Sequence, residues 1–389
     1  MRFSVRTDWH TASNRLTEKV SAEKKLGHAI IDLTESNPTR CSFKYLAPDI
    51  LRPLCDPANI FYEPDPRGLL EARKTVCAYY AQKGITVAPH QVFLTASTSE
   101  AYTFLFRLLC DPGDSLLAPE PSYPLFDYLS GLSDVGLVRY ALNYGKGWRM
   151  DFSHLKNAAQ ENLKGVILVN PNNPTGNFIK PDELKALNAF CAASETAIIS
   201  DEVFFDFAFG PESNKKICLA GNSDVLTFTL SGISKILGLP QMKLSWIVVS
   251  GPAALCQKAL ERLEIIADTH LSVNTPSQRA LAAWMDRRQA IGHEISERLM
   301  INRDHLRKEL KGHGNVEILE CEGGWYLTIQ VDTHMTDEAL ALELLEKRGV
   351  LVHPGYFYDF SEGAFLVMSL LPSRETFLEG AKLLAEALK

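Results

Sequence analysis

Five apolar runs, each ending in a polar turn and alternating with helical patterns, predict an α/β protein with a mostly parallel sheet covered on both faces. A second group of strands near the C-terminus predicts a smaller α+β lobe. The five runs are VFLTASTSEA (92–101), SLLAPEPSYP (115–124), GVILVNPNNPTG (165–176), AIISDEVFF (197–205) and VLTFTLSGISK (225–235). Segments such as EAYTFLFRLL and DELKALNAFCAA lie between them with apolar residues at helical spacing. Strands apolar throughout, joined by helices, belong to parallel sheets buried on both sides. Beyond them, strands at 324–332, 349–355 and 364–371 alternate with helical stretches at 337–348 and 374–388. A long helical region at 251–311 joins the two parts. The expected division is a segment 1–45 packing on the small domain, a large domain over 46–285 and a small domain over 286–389.

Composition narrows the function. A chain of 389 residues can hold two domains. Hydrophobic residues at 46% and charged residues at 22% give the balance of an ordinary globular protein. Forty lysines and arginines against 47 aspartates and glutamates leave a net charge of −7, which argues against a nucleic-acid binder. No apolar run reaches the ~18 residues of a membrane span. The polar start, MRFSVRTDWHTASNRLTEK, has no apolar core of a secretion signal, so a cytoplasmic location is expected. Eight cysteines without a C-x-x-C pair suit a reduced compartment. Ten histidines show no H-x-x-x-H spacing, so no metal is expected.

In open α/β sheets ligands bind at the carboxyl ends of the strands, where all five turns lie. Ser97, Thr98 and Ser99 stand at a strand-to-helix junction. There they either cap the helix or cradle a phosphate on its free N–H groups. Tyr123, between prolines, is either a core residue of a rigid turn or an aromatic face for a planar ring. Asn173 is either turn chemistry or a donor to an oxygen at the sheet edge. Asp201 ends a buried strand, where a carboxylate needs a partner; it is either a cap or the counter-ion of a buried cation such as a protonated pyridine nitrogen. Lys235 ends another. Removing an ammonium from water is costly and lowers its pKa, which makes a nucleophilic amine. Together these residues offer a stacking face, an acid for a ring nitrogen, a donor for a ring oxygen, a phosphate cradle and an amine for an aldehyde. That inventory suits pyridoxal 5'-phosphate (PLP).

The same stretches, with SNPTR (36–40), YEPDPRGLLEAR (62–73), DEVF, SGISK and GVLVHPG, occur in an order that resembles the class I/II aminotransferases, PLP enzymes of fold type I, over almost the whole chain. The resemblance implies the PLP-dependent transferase fold: a large domain with a mostly parallel seven-stranded sheet between helices, and a small α+β domain from both chain ends. It implies ping-pong transfer of an amino group between an amino acid, or an amine, and a 2-oxo acid. It implies a homodimer with shared active sites. By position, Lys235 resembles the Schiff-base lysine, Asp201 the ring-nitrogen partner, Asn173 the donor to the ring hydroxyl and Tyr123 the stacking aromatic. Ser97, Thr98 and Ser99 occupy the phosphate cup, with Ser231 and Ser234 close by. Tyr62 resembles the tyrosine that reaches the phosphate from a neighbouring subunit.

Several positions depart from the family pattern. Lys243 stands where an arginine clamps the phosphate, and Gln241 and Ser245 replace the glycines around it. Lysine neutralises a phosphate without arginine's bidentate fork. Phe204 replaces a tyrosine that donates to the ring hydroxyl, and Gly232 replaces a serine. Val367 stands where an arginine grips the substrate carboxylate. Either the substrate lacks that carboxylate or another segment binds it. Arg40, with Asn37 beside it, is the first candidate, Arg67 the second and Arg374 the third. Rival activities on the same fold are a carbon–sulfur β-lyase or other PLP lyase, a racemase or decarboxylase, and a non-catalytic PLP-binding regulator. A nucleotide enzyme is disfavoured, since no G-x-G-x-x-G or G-K-[ST] follows a strand.

Overall fold

A computed structural model describes every residue except 10–11, 46, 159–160, 211–215 and 272. In chain order its strands are β1 (Ile31–Asp32), β2 (Val92–Thr95), β3 (Ser115–Glu120), β4 (Gly136–Gly145), β5 (Gly147–Met150), β6 (Leu163–Val169), β7 (Ala197–Asp201), β8 (Thr227–Gly232), β9 (Ser245–Ser250), β10 (Val316–Ile318), β11 (Tyr326–Val331), β12 (Val350–Leu351), β13 (His353–Pro354) and β14 (Ala364–Ser369).

The large sheet has the order β2-β9-β8-β7-β6-β3-β4-β5. Strands β8, β7, β6, β3 and β4 are parallel neighbours. β9 runs antiparallel between β8 and β2. Consecutive residues of the apolar runs serve opposite faces. Leu116, Ile167, Ile199, Phe228 and Ile247 belong to one core, with Phe104 and Leu263 of the covering helices. Leu117, Val166, Leu168 and Ile198 belong to another, under the helix Pro181–Ala193. Each such side chain gains about 1.5–3 kcal/mol by leaving water, so the runs are apolar at every position.

The sheet has one strand beyond the seven expected. β4 turns back at Gly145-Lys146-Gly147 and pairs antiparallel with β5. Gly147 has φ +103°, a backbone region that glycine enters at no steric cost. β5 buries Trp148 and Met150 and exposes Arg149, the alternation of an edge strand, and four residues are too few to stand out in the sequence.

The helical region at 251–311 is three helices, Ala253–His270, Thr275–Asp286 and Arg288–Glu309. Leu271 turns left-handed at the end of the first. Asn274 caps the second by accepting the Ser277 N–H at 2.9 Å, and Pro276 follows in its first turn.

Strands β10-β11-β14-β13 form a small antiparallel sheet. One of its faces packs Leu327, Ile329, Leu366 and Met368 against Phe377 and Leu299 of neighbouring helices. β1 pairs in parallel with β12, and Leu16 of the helix Arg15–Lys25 meets Leu345 and Leu351. Among the described residues, no helix is long and apolar enough to cross a membrane.

Candidate active site

A cavity of about 710 Å³ opens where the carboxyl ends of β6, β7 and β8 approach the small sheet. Asp201 lies in its wall as the last residue of β7. The Tyr102 hydroxyl donates to its Oδ2 at 3.0 Å, and the Val203 N–H to its Oδ1 at 3.1 Å. Burial still pushes this carboxyl up to about 6, against the pull of those donors and of Lys235. Glu202 points to the opposite side of the strand, as period-two geometry requires. Its Oε1 accepts from the Leu219 N–H at 2.7 Å and the Ser200 hydroxyl at 3.1 Å.

Lys235 follows β8 on the short helix Ile233–Ile236 and lines the same cavity. Burial lowers its amine to about 8, with Asp201 pulling it back up. Roughly a tenth of such an amine is uncharged at pH 7, enough to act as a nucleophile. Its Nζ lies 4.8 Å from the Trp325 ring centre and 5.3 Å from that of Phe204. Those rings stabilise a cation without accepting a classical hydrogen bond from it.

The turn after β6 is held by its own side chains. Asn172 Nδ2 donates to the Pro121 carbonyl at 3.0 Å and to Thr175 Oγ1 at 2.7 Å. Gly176, at φ +74°, passes so close to the small lobe that an added Cβ would lie 2.2 Å from Cys321 Sγ. This clamp leaves Asn173 in the cavity wall, its Oδ1 buried and without a hydrogen-bond partner. Tyr123, Thr98, Ser99, Phe204 and Ser234 also line the cavity.

Other expected residues lie elsewhere. Ser97 caps the helix Thr98–Leu109, its hydroxyl accepting the Glu100 N–H at 3.1 Å. Ser231 is buried off the cavity, its hydroxyl directed at the Glu202 carbonyl, 3.5 Å away. Lys243 is exposed and left-handed (φ 50°) behind the 3-10 turn Pro240–Met242, outside the cavity wall. Tyr62 is 74% exposed and borders a separate small cleft with Asp65, Gly68 and Leu271.

The arginine candidates are also absent from the wall. Arg40 is exposed, 3.9 Å from Glu35. Arg67 donates through Nε to Glu264 at 3.0 Å and through Nη1 to the His90 carbonyl at 2.7 Å. Arg374 pairs with Glu297 at 2.9 Å. Asn37 caps its own turn, accepting the Thr39 N–H at 3.1 Å, while its neighbour Ser36 reaches the cavity.

Two departures from the family pattern prove to be one. Gly232 and Ser245 are cross-strand partners on β8 and β9, and both line the cavity. A Cβ on Gly232 would lie 2.3 Å from the Ser245 hydroxyl and 2.9 Å from its Cα. The strand without the side chain faces the strand that has it.

Sequence reading missed Tyr102, Tyr326, His353, Tyr358 and Trp325. Tyr102 sits one helical turn after Thr98, so a helical wheel drawn from that residue would have placed it on the cavity side.

The sequence profile described as aminotransferase class I and II matches residues 36–371. The chain belongs to the class I and II aminotransferases. Glutamate-pyruvate aminotransferase AlaA of Haemophilus influenzae is 27% identical over 379 residues, covering 95% of this chain and 91% of that one. An alanine aminotransferase of Mycobacterium bovis is 26% identical over 398 residues, covering 94% and 91%. In fold, the chain is similar to the solved alanine aminotransferase of Pyrococcus furiosus, with a TM-score of 0.90 at 24% identity over 99% of both chains.

Class I and II aminotransferases imply PLP as cofactor, and the residues of this aminotransferase fit it. Asn173 offers an unpartnered buried polar group, and Asp201 a buried carboxylate that its two donors and Lys235 do not bring back to the ordinary carboxylate range. Thr98 and Ser99 offer the open start of a 12-residue helix.

Proposed function

We propose that this aminotransferase moves an amino group between an amino acid, or an amine, and a 2-oxo acid, with PLP seated in the 710 Å³ cavity. The observation that carries this reading is the Lys235 amine, desolvated and facing Asp201 within one cavity. Bound there, PLP would supply the sink for the electrons left at substrate Cα when its proton departs. Lys235 would take that proton and return it, as a general base and then a general acid. Asp201, steadied by Tyr102, would keep the ring nitrogen protonated. Asn173 would meet the ring hydroxyl, Tyr123 would lie against the ring face, and Thr98, Ser99 and Ser234 would receive the phosphate.

Borohydride reduction of the cofactor-loaded protein, followed by peptide mapping, should place the adduct on Lys235. An adduct on Lys243 instead would overturn the assignment. Amino acid and 2-oxo acid should be consumed one for one. Release of ammonia and pyruvate from cysteine without an acceptor would favour the lyase reading.

A homodimer with Tyr62 acting across the interface belongs to the same proposal. Its support is the exposure of Tyr62 beside exposed Ile60 and Phe61. Analytical ultracentrifugation should find a dimer, and a fully active monomer would end the idea. We also propose the division at residues 45 and 285, since β1 is built into the small lobe through β12. A cytoplasmic setting goes with eight unpaired cysteines.

A further inference from the structure

Val367, where the family pattern puts an arginine, lies in the middle of β14, fully buried. It stands abreast of Thr328 on β11 and of His353 on β13. Paired residues of antiparallel strands project to the same face. The alternate residues of these strands, Leu327 with Met368 and Ile329 with Leu366, fill the core on the other face. Thr328 and His353 therefore flank Val367 on the side away from that core, with Tyr326 two residues along β11. Tyr326 and His353 line the cavity.

Two side chains on this face keep a polar atom without a protein partner among the described residues. Thr328 is 3% exposed, and its hydroxyl is buried without a hydrogen bond. His353 Nδ1 lies 3.1 Å from the Tyr358 hydroxyl, which leaves Nε2 with no protein partner among the described residues. Buried donors are ordinarily satisfied, so an open imidazole nitrogen on the cavity wall, with an open hydroxyl on the same sheet face, marks a place for a ligand. Among the described residues, Lys235 and His353 are the only basic side chains lining the cavity, and no arginine does.

We propose that His353, with the hydroxyls of Thr328 and Tyr326, receives the substrate carboxylate in place of an arginine on β14. The inference rests on the aminotransfer reading above. Donor and acceptor use one site in turn, and the acceptor is a 2-oxo acid, so this chain needs a carboxylate receptor. A carboxylate buried without one costs several kcal/mol. Imidazole can meet it in two ways: neutral, by donating from Nε2, or charged, once the carboxylate has drawn a proton onto the ring. Burial holds His353 near 4 before substrate arrives, with Asp32 pulling upward. Tyr358 and Tyr326 face it as neutral phenols, and Asp201, Asp359 and Lys235 share the cavity wall. The receptor thus avoids holding a buried cation while it waits, which an arginine cannot do.

The test compares an α-amino acid with the amine of the same side chain, phenylalanine with phenethylamine. His353→Phe keeps a ring and removes both nitrogens. It should raise KM for the amino acid by about 30-fold, the worth of a hydrogen bond to a charged group, and change KM for the amine by less than about threefold. The same contrast should appear in Kd, read from the cofactor spectrum of cofactor-loaded Lys235→Ala protein, which cannot turn over. His353→Gln, which keeps a donor, should fall between. Thr328→Val serves as a second variant should His353→Phe lose its fold, with an expected loss of about fivefold for the amino acid alone. Adding Val367→Arg to His353→Phe should recover the amino acid at least tenfold. An amino-acid Kd within threefold of the parent, or equal weakening of acid and amine, overturns the assignment of His353. A wild-type protein that converts no amino acid to its 2-oxo acid overturns the aminotransfer reading instead.

Discussion

Lys235→Ala is expected to lower turnover by more than about 10⁴-fold while the protein folds as well as before. Among the described residues, the other bases in the cavity wall are poorly placed to replace it: burial makes His353 a weak base, near 4, on the small sheet, Asp201 is engaged by Tyr102 and Val203, and Asp359 lies 3.0 Å from the Arg139 guanidinium. The lysine contributes little to the fold. Its amine makes contact with two aromatic rings and sits well below its ordinary pKa because water has been taken away from it. Removing a group that burial penalises does not destabilise a protein in the way that cutting a buried ion pair does. The melting temperature of the cofactor-free variant should equal or exceed the parent's. Cofactor should still bind through Asp201, Asn173 and the helix start at Thr98, with weaker affinity. Turnover within a hundredfold of the parent would mean that the proton carrier is another residue.

Asp201→Asn should cost 10²- to 10⁴-fold in turnover, roughly the range for a lost catalytic charge or proton carrier, and should at the same time stabilise the cofactor-free protein. The two effects have one cause. Folding raises this carboxyl from 3.8 to about 6, so the folded state holds the proton more tightly than the unfolded chain. Stability from this group is therefore unaffected below pH 4, falls as pH rises towards 6 and stays reduced above it. The penalty amounts to about 3 kcal/mol by linkage. Asparagine carries no charge to desolvate and can still accept from Tyr102. Denaturant unfolding of the cofactor-free proteins should show the variant ahead at pH 8 and level with the parent at pH 4. A variant less stable at both pH values would assign Asp201 to the fold instead of the chemistry. Excess stability surrendered at a working residue is the usual signature of a functional site.

The expected site residues that line the cavity share one property: each stands at or just past the carboxyl end of a strand, where topology leaves no choice of direction. Lys235, Asp201, Asn173 and Tyr123 are of this kind. Residues chosen by nearness in sequence fared differently. Ser97 and Ser231 are next to cavity residues, yet their hydroxyls are taken by Glu100 and directed at Glu202. Lys243 was placed by its distance from Lys235, but the turn at Pro240 and a left-handed residue set its direction. The arginine candidates were read from position alone, and ion pairs formed across the fold decide where Arg67 and Arg374 point. Tyr102 and His353 were hidden because an apolar helix and a short strand look the same whether a polar residue in them faces a core or a cavity. The eighth strand escaped notice because four residues at an edge carry too weak an alternation.

The Gly232–Ser245 pair limits how this site can change. The two positions hold one side chain between them, so serine at both would press a Cβ within 2.9 Å of neighbouring backbone. Such overpacking ordinarily costs about 1–3 kcal/mol. Glycine at both leaves a small gap and strains nothing. A lineage moving its hydroxyl from one strand to the other must therefore empty the pair before refilling it. An engineer who grafts a relative's serine onto position 232 inherits the same order of operations: position 245 has to be cleared first.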